Sequence, residues 1–61
     1  MLKVFEVDDI LSKGTNKKIF LEEPTYGYML TIYFISYQGM RFKVYEKDGV
    51  FDRIMKVGVA S

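Results

Sequence analysis

Aromatic and basic side chains alternate along two neighbouring stretches near the middle of the chain, and this pattern suggests a binding surface. If both stretches are antiparallel strands, residues two apart share a face, because side chains alternate between the two sides of a strand. Rings on such a face can stack on the bases of single-stranded nucleic acid while cations contact its phosphates. Tyrosine and arginine are also enriched at protein–protein interfaces. The predicted partner-binding residues are Tyr33, Ile35, Tyr37, Arg41, Lys43 and Tyr45.

Catalytic and metal-binding chemistry finds little support in the residue types present. The chain has no Cys and no His, which removes the usual nucleophile–base pairs and the usual zinc ligands. The acidic pairs Asp8, Asp9 and Glu22, Glu23 do not have the spacing of a calcium-binding loop. The lysine-rich residues 12–18 lack the spacing of a nucleotide-binding P-loop. We therefore expect no enzymatic activity, no metal site and no cofactor.

The length and composition limit how the chain can be stabilised. Its 61 residues form one small β-rich domain, residues 1–61, and a domain of this size buries only about 60% of the surface that its unfolded chain exposes. Without disulfides, such a domain needs a dense core or an oligomer. The apolar fraction of 49% can supply both. The net charge of +1 creates no overall field that selects nucleic acid or a membrane.

The uncharged residues 24–40 reach the lower length limit of a membrane-spanning helix. Gly27 and the alternating tyrosines in this run favour a strand and a turn instead. Acidic residues stand near the N-terminus, where a signal peptide would have its apolar segment. The absence of Cys is compatible with a reducing compartment. We expect a soluble, cytoplasmic protein that does not enter membranes.

β-Branched and aromatic residues predict a central strand over residues 26–36. A strand over residues 2–7, a helical turn over residues 10–13 and a strand over residues 18–22 precede it. Two strands follow it, over residues 40–46 and 50–59. The predicted fold is therefore mostly β, a small five-stranded antiparallel meander or partly open barrel with one short helical turn near the N-terminus.

Gly is the third residue of both hairpin connections, 37–39 and 47–49, which predicts a type I turn that closes in a left-handed Gly bulge. In the first hairpin this loop places Phe34 opposite Phe42 and Ile32 opposite Val44. The predicted core residues are Leu30, Ile32, Phe34, Phe42, Val44, Ile19, Leu21, Val4 and Leu11.

The second hairpin leaves its register open. The same loop type would point Phe51 and Met55 away from the core, and a shift by one residue would set Arg53 against Val44. A bulge near Asp52 and Arg53 would reconcile the two halves, because one extra residue switches faces.

The central strand has no truly polar face, so it needs its own core on one side and another layer, subunit or ligand on the other. We therefore predict a non-enzymatic binding or regulatory module that acts through protein–protein contact, with another protein or with itself as a homodimer. The alternative is a module that binds single-stranded nucleic acid on the aromatic and basic face. That alternative requires the basic residues to converge on one side and the acids on the other. The basic residues concerned are Lys3, Arg41, Lys43 and Lys56, with Lys17 and Lys18.

Overall fold

The computed structural model describes residues 3–59 and shows one helix followed by four strands. These are α1 (Val4–Lys13), β1 (Thr15–Thr25), β2 (Tyr28–Tyr37), β3 (Met40–Lys47) and β4 (Val50–Val59). The strands form one open antiparallel sheet in the order β1-β2-β3-β4, so β1 and β4 are its edges. The mostly β class and the antiparallel meander are confirmed, with four strands in place of five. Within residues 3–59, no helix is long and apolar enough to cross a membrane.

Helix α1 occupies the segment predicted as the first strand, so that prediction is wrong. Apolar residues at Val4, Val7 and Leu11 recur at intervals of three and four, which suits one face of a helix. The helix ends at Gly14, whose backbone N–H donates to the carbonyl oxygen of Ile10 at 2.9 Å. The predicted turn over residues 10–13 is the last part of this helix. Residue 2 lies outside the described residues.

Strand β1 is longer than predicted and continues through Pro24. Pro24 lies opposite Met29 on this edge strand. The backbone N–H of Met29 donates to Asp48 Oδ1 at 2.8 Å, on the side away from β1. The missing N–H of proline therefore costs no ladder hydrogen bond at this position.

All three connections between strands are two-residue turns with positive φ at both residues: Tyr26-Gly27, Gln38-Gly39 and Asp48-Gly49. Positive φ at both central residues is the signature of the type I′ turn, whose twist matches that of the flanking strands. The predicted three-residue loops are therefore wrong. In the β2–β3 hairpin, the shorter loop places Tyr37 opposite Met40 and moves the register by one residue from the predicted one.

This one-residue change reverses the core-facing side of β2. Tyr33 lies opposite Val44 and Ile35 opposite Phe42, so the odd residues of β2 face α1. The core consists of Ile10, Tyr33, Ile35, Phe42 and Val44, with Leu11, Tyr37, Met40 and Ile54 packed against it. We call this side of the sheet, with the core residues of β2 and β3, the helix side.

The predicted core is confirmed in part. Phe42 and Val44 are buried as predicted, and Leu11 packs against the cluster. Ile32 is also buried, but its side chain lies on the opposite side of the sheet. The prediction that Val4 and Ile19 belong to the core is wrong, because these residues are 79% and 57% exposed. The remaining predicted members, Leu30, Phe34 and Leu21, are partly buried outside the core cluster.

Both edge strands contain bulges, whereas the central pair does not. In β4, Phe51 lies opposite Glu46 and Arg53 opposite Tyr45, which leaves Asp52 as an extra residue. This bulge is the arrangement that reconciles the two halves of the second hairpin. A second irregularity of β4 lies near its end, and β1 has two of its own. Bulges make an edge strand a poor template for pairing with another chain.

Candidate functional site

The side of the sheet opposite α1 carries a row of rings and cations. Because Phe42 and Val44 face the helix, the residues between them on β3 point the other way. No helix or strand of the described residues 3–59 lies over this side. We call it the open face and define it by Lys18, Phe20, Tyr28, Leu30, Ile32, Phe34, Arg41, Lys43, Tyr45, Lys47, Arg53 and Met55.

The six residues predicted as the partner-binding site do not share one face. Arg41, Lys43 and Tyr45 lie on the open face. Ile35 and Tyr33 are each 3% exposed and belong to the core on the helix side, and Tyr37 packs against that core. The structure therefore brings together only the three residues of β3. The reason is the type I′ turn, which shifts β2 by one residue against β3 and so exchanges the faces of β2.

Tyr45 lies between two cations at the centre of the open face. The guanidinium carbon of Arg53 is 4.3 Å from the centroid of its ring, and Lys43 Nζ is 5.2 Å from that centroid. Both distances lie within the range of cation–π attraction. The pKa of the Tyr45 hydroxyl is lowered, first because Lys43 can donate a hydrogen bond to the phenolate and further because of Arg53, against the opposing effect of desolvation. Two cations thus flank the ring at the centre of this face.

A second aromatic cluster joins β1 to β2. The rings of Phe20 and Phe34 meet edge to face, with centroids 5.7 Å apart and an angle of 77° between the planes. Lys43 Nζ is 5.9 Å from the Phe20 centroid, and the guanidinium carbon of Arg41 is 5.9 Å from the Phe34 centroid. The Phe20 ring is 64% exposed. A depression of about 260 Å³ beside these rings is lined by Lys18, Ile19, Phe20 and Phe34.

Arg41 is held in place by hydrogen bonds on the open face. Its Nη1 donates to Ser36 Oγ at 2.6 Å and to the carbonyl oxygen of Asn16 at 3.0 Å. These contacts tie β3 to β2 and to the start of β1. The arginine is therefore preorganised, and less side-chain entropy is lost when it meets an anion.

The rings occupy three levels along the strand direction. Tyr45 lies opposite Ile32, two residues along β2 from Phe34, and Tyr28 is four residues further on. Two residues of a strand span about 7 Å. Lys47, opposite Leu30, occupies the level between Tyr45 and Tyr28, and its Nζ is 5.0 Å from the Tyr28 centroid. The open face thus has rings with cations beside them along most of its length.

Charge is distributed unevenly between the two sides of the sheet. Among the described residues, the open face carries five cations: Lys18, Arg41, Lys43, Lys47 and Arg53. Its register places one carboxylate there, Glu23, opposite Leu30. The helix side carries the acids of α1 together with Glu22 and Glu46, but also the lysines Lys3, Lys13, Lys17 and Lys56. The open face is therefore basic, whereas charges of both signs nearly balance on the helix side.

Only some of the cations that were predicted to converge lie together on one side of the sheet. Arg41, Lys43 and Lys18 lie on the open face. Lys56 lies opposite Phe42 on the helix side, and Lys17 Nζ is 4.4 Å from the buried ring of Tyr33. Lys3 is the N-cap residue of α1. The basic face is therefore built from a different set of side chains than the one predicted.

Sequence reasoning missed five of the aromatic and basic residues of the open face: Phe20, Tyr28, Phe34, Lys47 and Arg53. The X-Gly pairs of the turns were the signal that could have found Tyr28, Phe34 and Lys47, because two-residue loops set the observed register. Phe20 and Arg53 reach the open face only because of the bulges in β1 and β4.

On the helix side, Glu46 makes a polar contact with the core. The Tyr33 hydroxyl donates to Glu46 Oε2 at 3.4 Å. Burial raises the pKa of this hydroxyl, and the carboxylate raises it further.

Two clefts flank α1. The larger, about 410 Å³, lies against the end of the β2–β3 hairpin, and the smaller, about 210 Å³, is lined by Val4, Val7, Asp8, Leu11 and Phe51.

Within residues 3–59, no group of three or more carboxylates is arranged so that it could hold a metal ion. A comparison of the chain with known protein families, curated proteins and solved structures finds no match.

Proposed function

We propose that this protein is a non-enzymatic module that binds single-stranded nucleic acid on its open face. The observation that supports this proposal is the convergence of rings and cations on one uncovered face of the sheet, away from most of the acids. Convergence of basic residues is the condition that distinguishes this function from protein–protein contact. Five cations of the open face meet it, whereas Lys3, Lys17 and Lys56 lie elsewhere. We therefore favour nucleic-acid binding over the protein contact that the sequence suggested first.

Binding would use two kinds of contact. Bases stack on the exposed rings, which is worth about 1–3 kcal/mol per base and tolerates any sequence because every base has a π-face. Lys43, Lys47 and Arg53 lie beside those rings and reach the phosphates between successive bases. A duplex hides its base faces, so single strands are the expected ligand. With rings at three levels, we expect the open face to hold about three or four nucleotides.

The same arrangement disfavours self-association through the sheet. Two copies stacked open face to open face would bring like charges together and desolvate them, which costs several kcal/mol. Pairing through β1 or β4 meets the bulges of both edge strands. The charge and shape of the open face suit a polyanion better than a second copy of this chain.

A second candidate function, contact with another protein or a second copy, is supported by the apolar surface beside α1. Val4 is 79% exposed, Phe5 63% and Phe51 40%, and Val4 and Phe51 line the smaller cleft. Contiguous exposed apolar surface of this kind often marks a protein interface. Sedimentation velocity at micromolar concentration tests the homodimer. If a dimer forms through this surface, Phe51→Glu should return it to a monomer, and a monomer at every concentration would exclude the homodimer.

The test of nucleic-acid binding is a titration of labelled single-stranded RNA and DNA oligonucleotides, followed by fluorescence anisotropy across a salt series. Phosphate contacts release counterions, so log K should fall with log salt with a slope of about −0.7 per contact. With five cations on the face, the slope should reach about −3.5 at most. Duplex DNA of the same length should bind more weakly.

Two matched pairs of variants locate the site. Phe20→Ala removes a ring that is 64% exposed on the open face, and Phe5→Ala removes one that is 63% exposed on α1. Phe20→Ala should weaken binding about 5- to 150-fold and Phe5→Ala should not. Lys43→Gln should lower the salt slope by about 0.7, whereas Lys56→Gln on the helix side should leave it unchanged. Absence of binding at low salt, or equal losses within each pair, would refute the proposal.

A further inference from the structure

Tyr26 occupies an unfavourable position for a tyrosine. It is the first residue of the turn between β1 and β2, its φ is +46°, and its side chain is 97% exposed. Side chains of L-residues crowd the backbone in this left-handed region, which is why asparagine, aspartate and glycine dominate the type I′ turn. Asp48 meets that preference at the equivalent position of the third turn. A bulky, apolar ring at Tyr26 makes no compensating contribution to folding, because almost all of its surface is in solvent.

The turn that carries Tyr26 lies at one end of the open face. Tyr28, two residues along the chain, has the Lys47 ammonium 5.0 Å from its ring centroid at that end. The backbone of Met29 is joined to the third turn by two hydrogen bonds, from its N–H to Asp48 Oδ1 at 2.8 Å and from the Asp48 N–H to its carbonyl oxygen at 2.9 Å. These bonds join the start of β2, just after the first turn, to the third turn.

The position adds a ring beyond the end of the open face. Along β2 the rings lie at the levels of Phe34, of Ile32 (opposite Tyr45) and of Tyr28, and Tyr26 is two residues beyond Tyr28 along the chain. A bulky side chain at positive φ is a backbone outlier, and such outliers cluster at functional sites. We infer that Tyr26 is a base-stacking residue for the terminal nucleotide of the bound single strand. The inference rests on the proposed function and extends its site from the sheet to the turn.

The test compares two turns of the same type. Tyr26→Asn and Gln38→Asn each place asparagine directly before the glycine of a type I′ turn. The two turns lie at opposite ends of β2. Both substitutions should raise the Tm by a few degrees, because asparagine tolerates positive φ. Only Tyr26→Asn should weaken binding of a long oligothymidylate, by about 5- to 150-fold. Tyr26→Trp should retain the affinity of the parent.

Two further readouts distinguish stacking from a general effect on the fold. In a series of oligothymidylates of increasing length, affinity should stop rising one nucleotide earlier for Tyr26→Asn than for the parent. The chain has no Trp, so Tyr26→Trp introduces a single indole whose fluorescence should be quenched by the bound base. Gln38→Trp is the matched control and should not be quenched.

The outcomes separate this inference from the proposed function. If the parent binds and Lys43→Gln weakens binding, but Tyr26→Asn binds as tightly as Gln38→Asn, the role of Tyr26 is refuted and the open-face site stands. An absence of quenching in Tyr26→Trp at saturation would refute the role of Tyr26 in the same way. If the parent binds no oligonucleotide at low salt, the proposed function and this inference are both refuted.

Discussion

Two isoleucines provide a direct test of which residues form the core. Ile35 is 3% exposed and belongs to the core cluster, whereas Ile19 is 57% exposed on the edge strand β1. The register expected from the sequence assigns the opposite roles. Changing each isoleucine to alanine removes the same atoms from two different environments, so the difference in unfolding free energy measures burial.

The expected magnitudes follow from these exposures. Ile35→Ala should cost about 2–5 kcal/mol, the usual range for a buried isoleucine that leaves a cavity. A chain of 61 residues has a total stability of roughly 3–9 kcal/mol, so this variant loses much or all of it. Ile19→Ala removes a side chain that is mostly in water already, and its cost should stay below about 1 kcal/mol.

Urea denaturation followed by far-ultraviolet circular dichroism measures both values, provided that the m-value is unchanged. Should Ile35→Ala be unfolded in water, Ile35→Val reports the same site with an expected cost of about 0.5–1.5 kcal/mol. A result in which Ile19→Ala costs as much as Ile35→Ala, or more, would show that Ile35 is not a core residue.

Three further predictions concern the helix end, the buried tyrosine and the third turn. Gly14→Ala should lower stability by about 1–3 kcal/mol, because its Cβ would lie 2.5 Å from the carbonyl oxygen of Ile10; thermal denaturation measures the loss. Above a pH of about 10 the free energy of unfolding should fall, because the pKa of Tyr33 is raised in the folded state and the unfolded chain ionises first. Below that pH both states keep the proton, so this effect vanishes. Urea titrations at increasing pH should show a smaller fall for Tyr33→Phe. Asp48→Ala should cost about 1–2 kcal/mol in urea titrations, through loss of the bond to the Met29 N–H and through alanine at positive φ.

Each of these has a control in the same chain. Gly58→Ala meets no atom within 4 Å and should be neutral or slightly stabilising, so an equal loss at both glycines would contradict the steric argument. For the tyrosine, the parent chain is the control, and an equal fall in the parent and in Tyr33→Phe would contradict the assignment to Tyr33. Asp48→Asn keeps a side chain that tolerates positive φ, and it should be milder than Asp48→Ala.

The sequence alone was sufficient for the mostly β class of the fold. The three strands from residue 28 onwards were located to within about two residues, because β-branched and aromatic runs between X-Gly pairs have few other interpretations. The content of rings and cations on β3 was also visible, since alternation along one strand needs no partner. Absence of His and Cys is a property of the composition itself.

The N-terminal segment could not be assigned from its own residues. A short apolar stretch with acids in it suits a strand or a helix, and an isolated helix of ten residues is marginal in water. What stabilises α1 is the helix side of the sheet, into which it inserts Ile10 at 2% exposure. That partner surface exists only once the strands have paired.

The face of β2 that contains the core was decided by the tertiary structure. Both faces of this strand are apolar, so burial of hydrophobic side chains alone does not distinguish the two registers. The choice rests on the Gln38-Gly39 turn, where two residues with positive φ match the twist of the strands and a three-residue loop does not occur. Because side chains alternate with a period of two, the difference of one residue in loop length places Tyr33 in the core and turns Phe34 towards the open face.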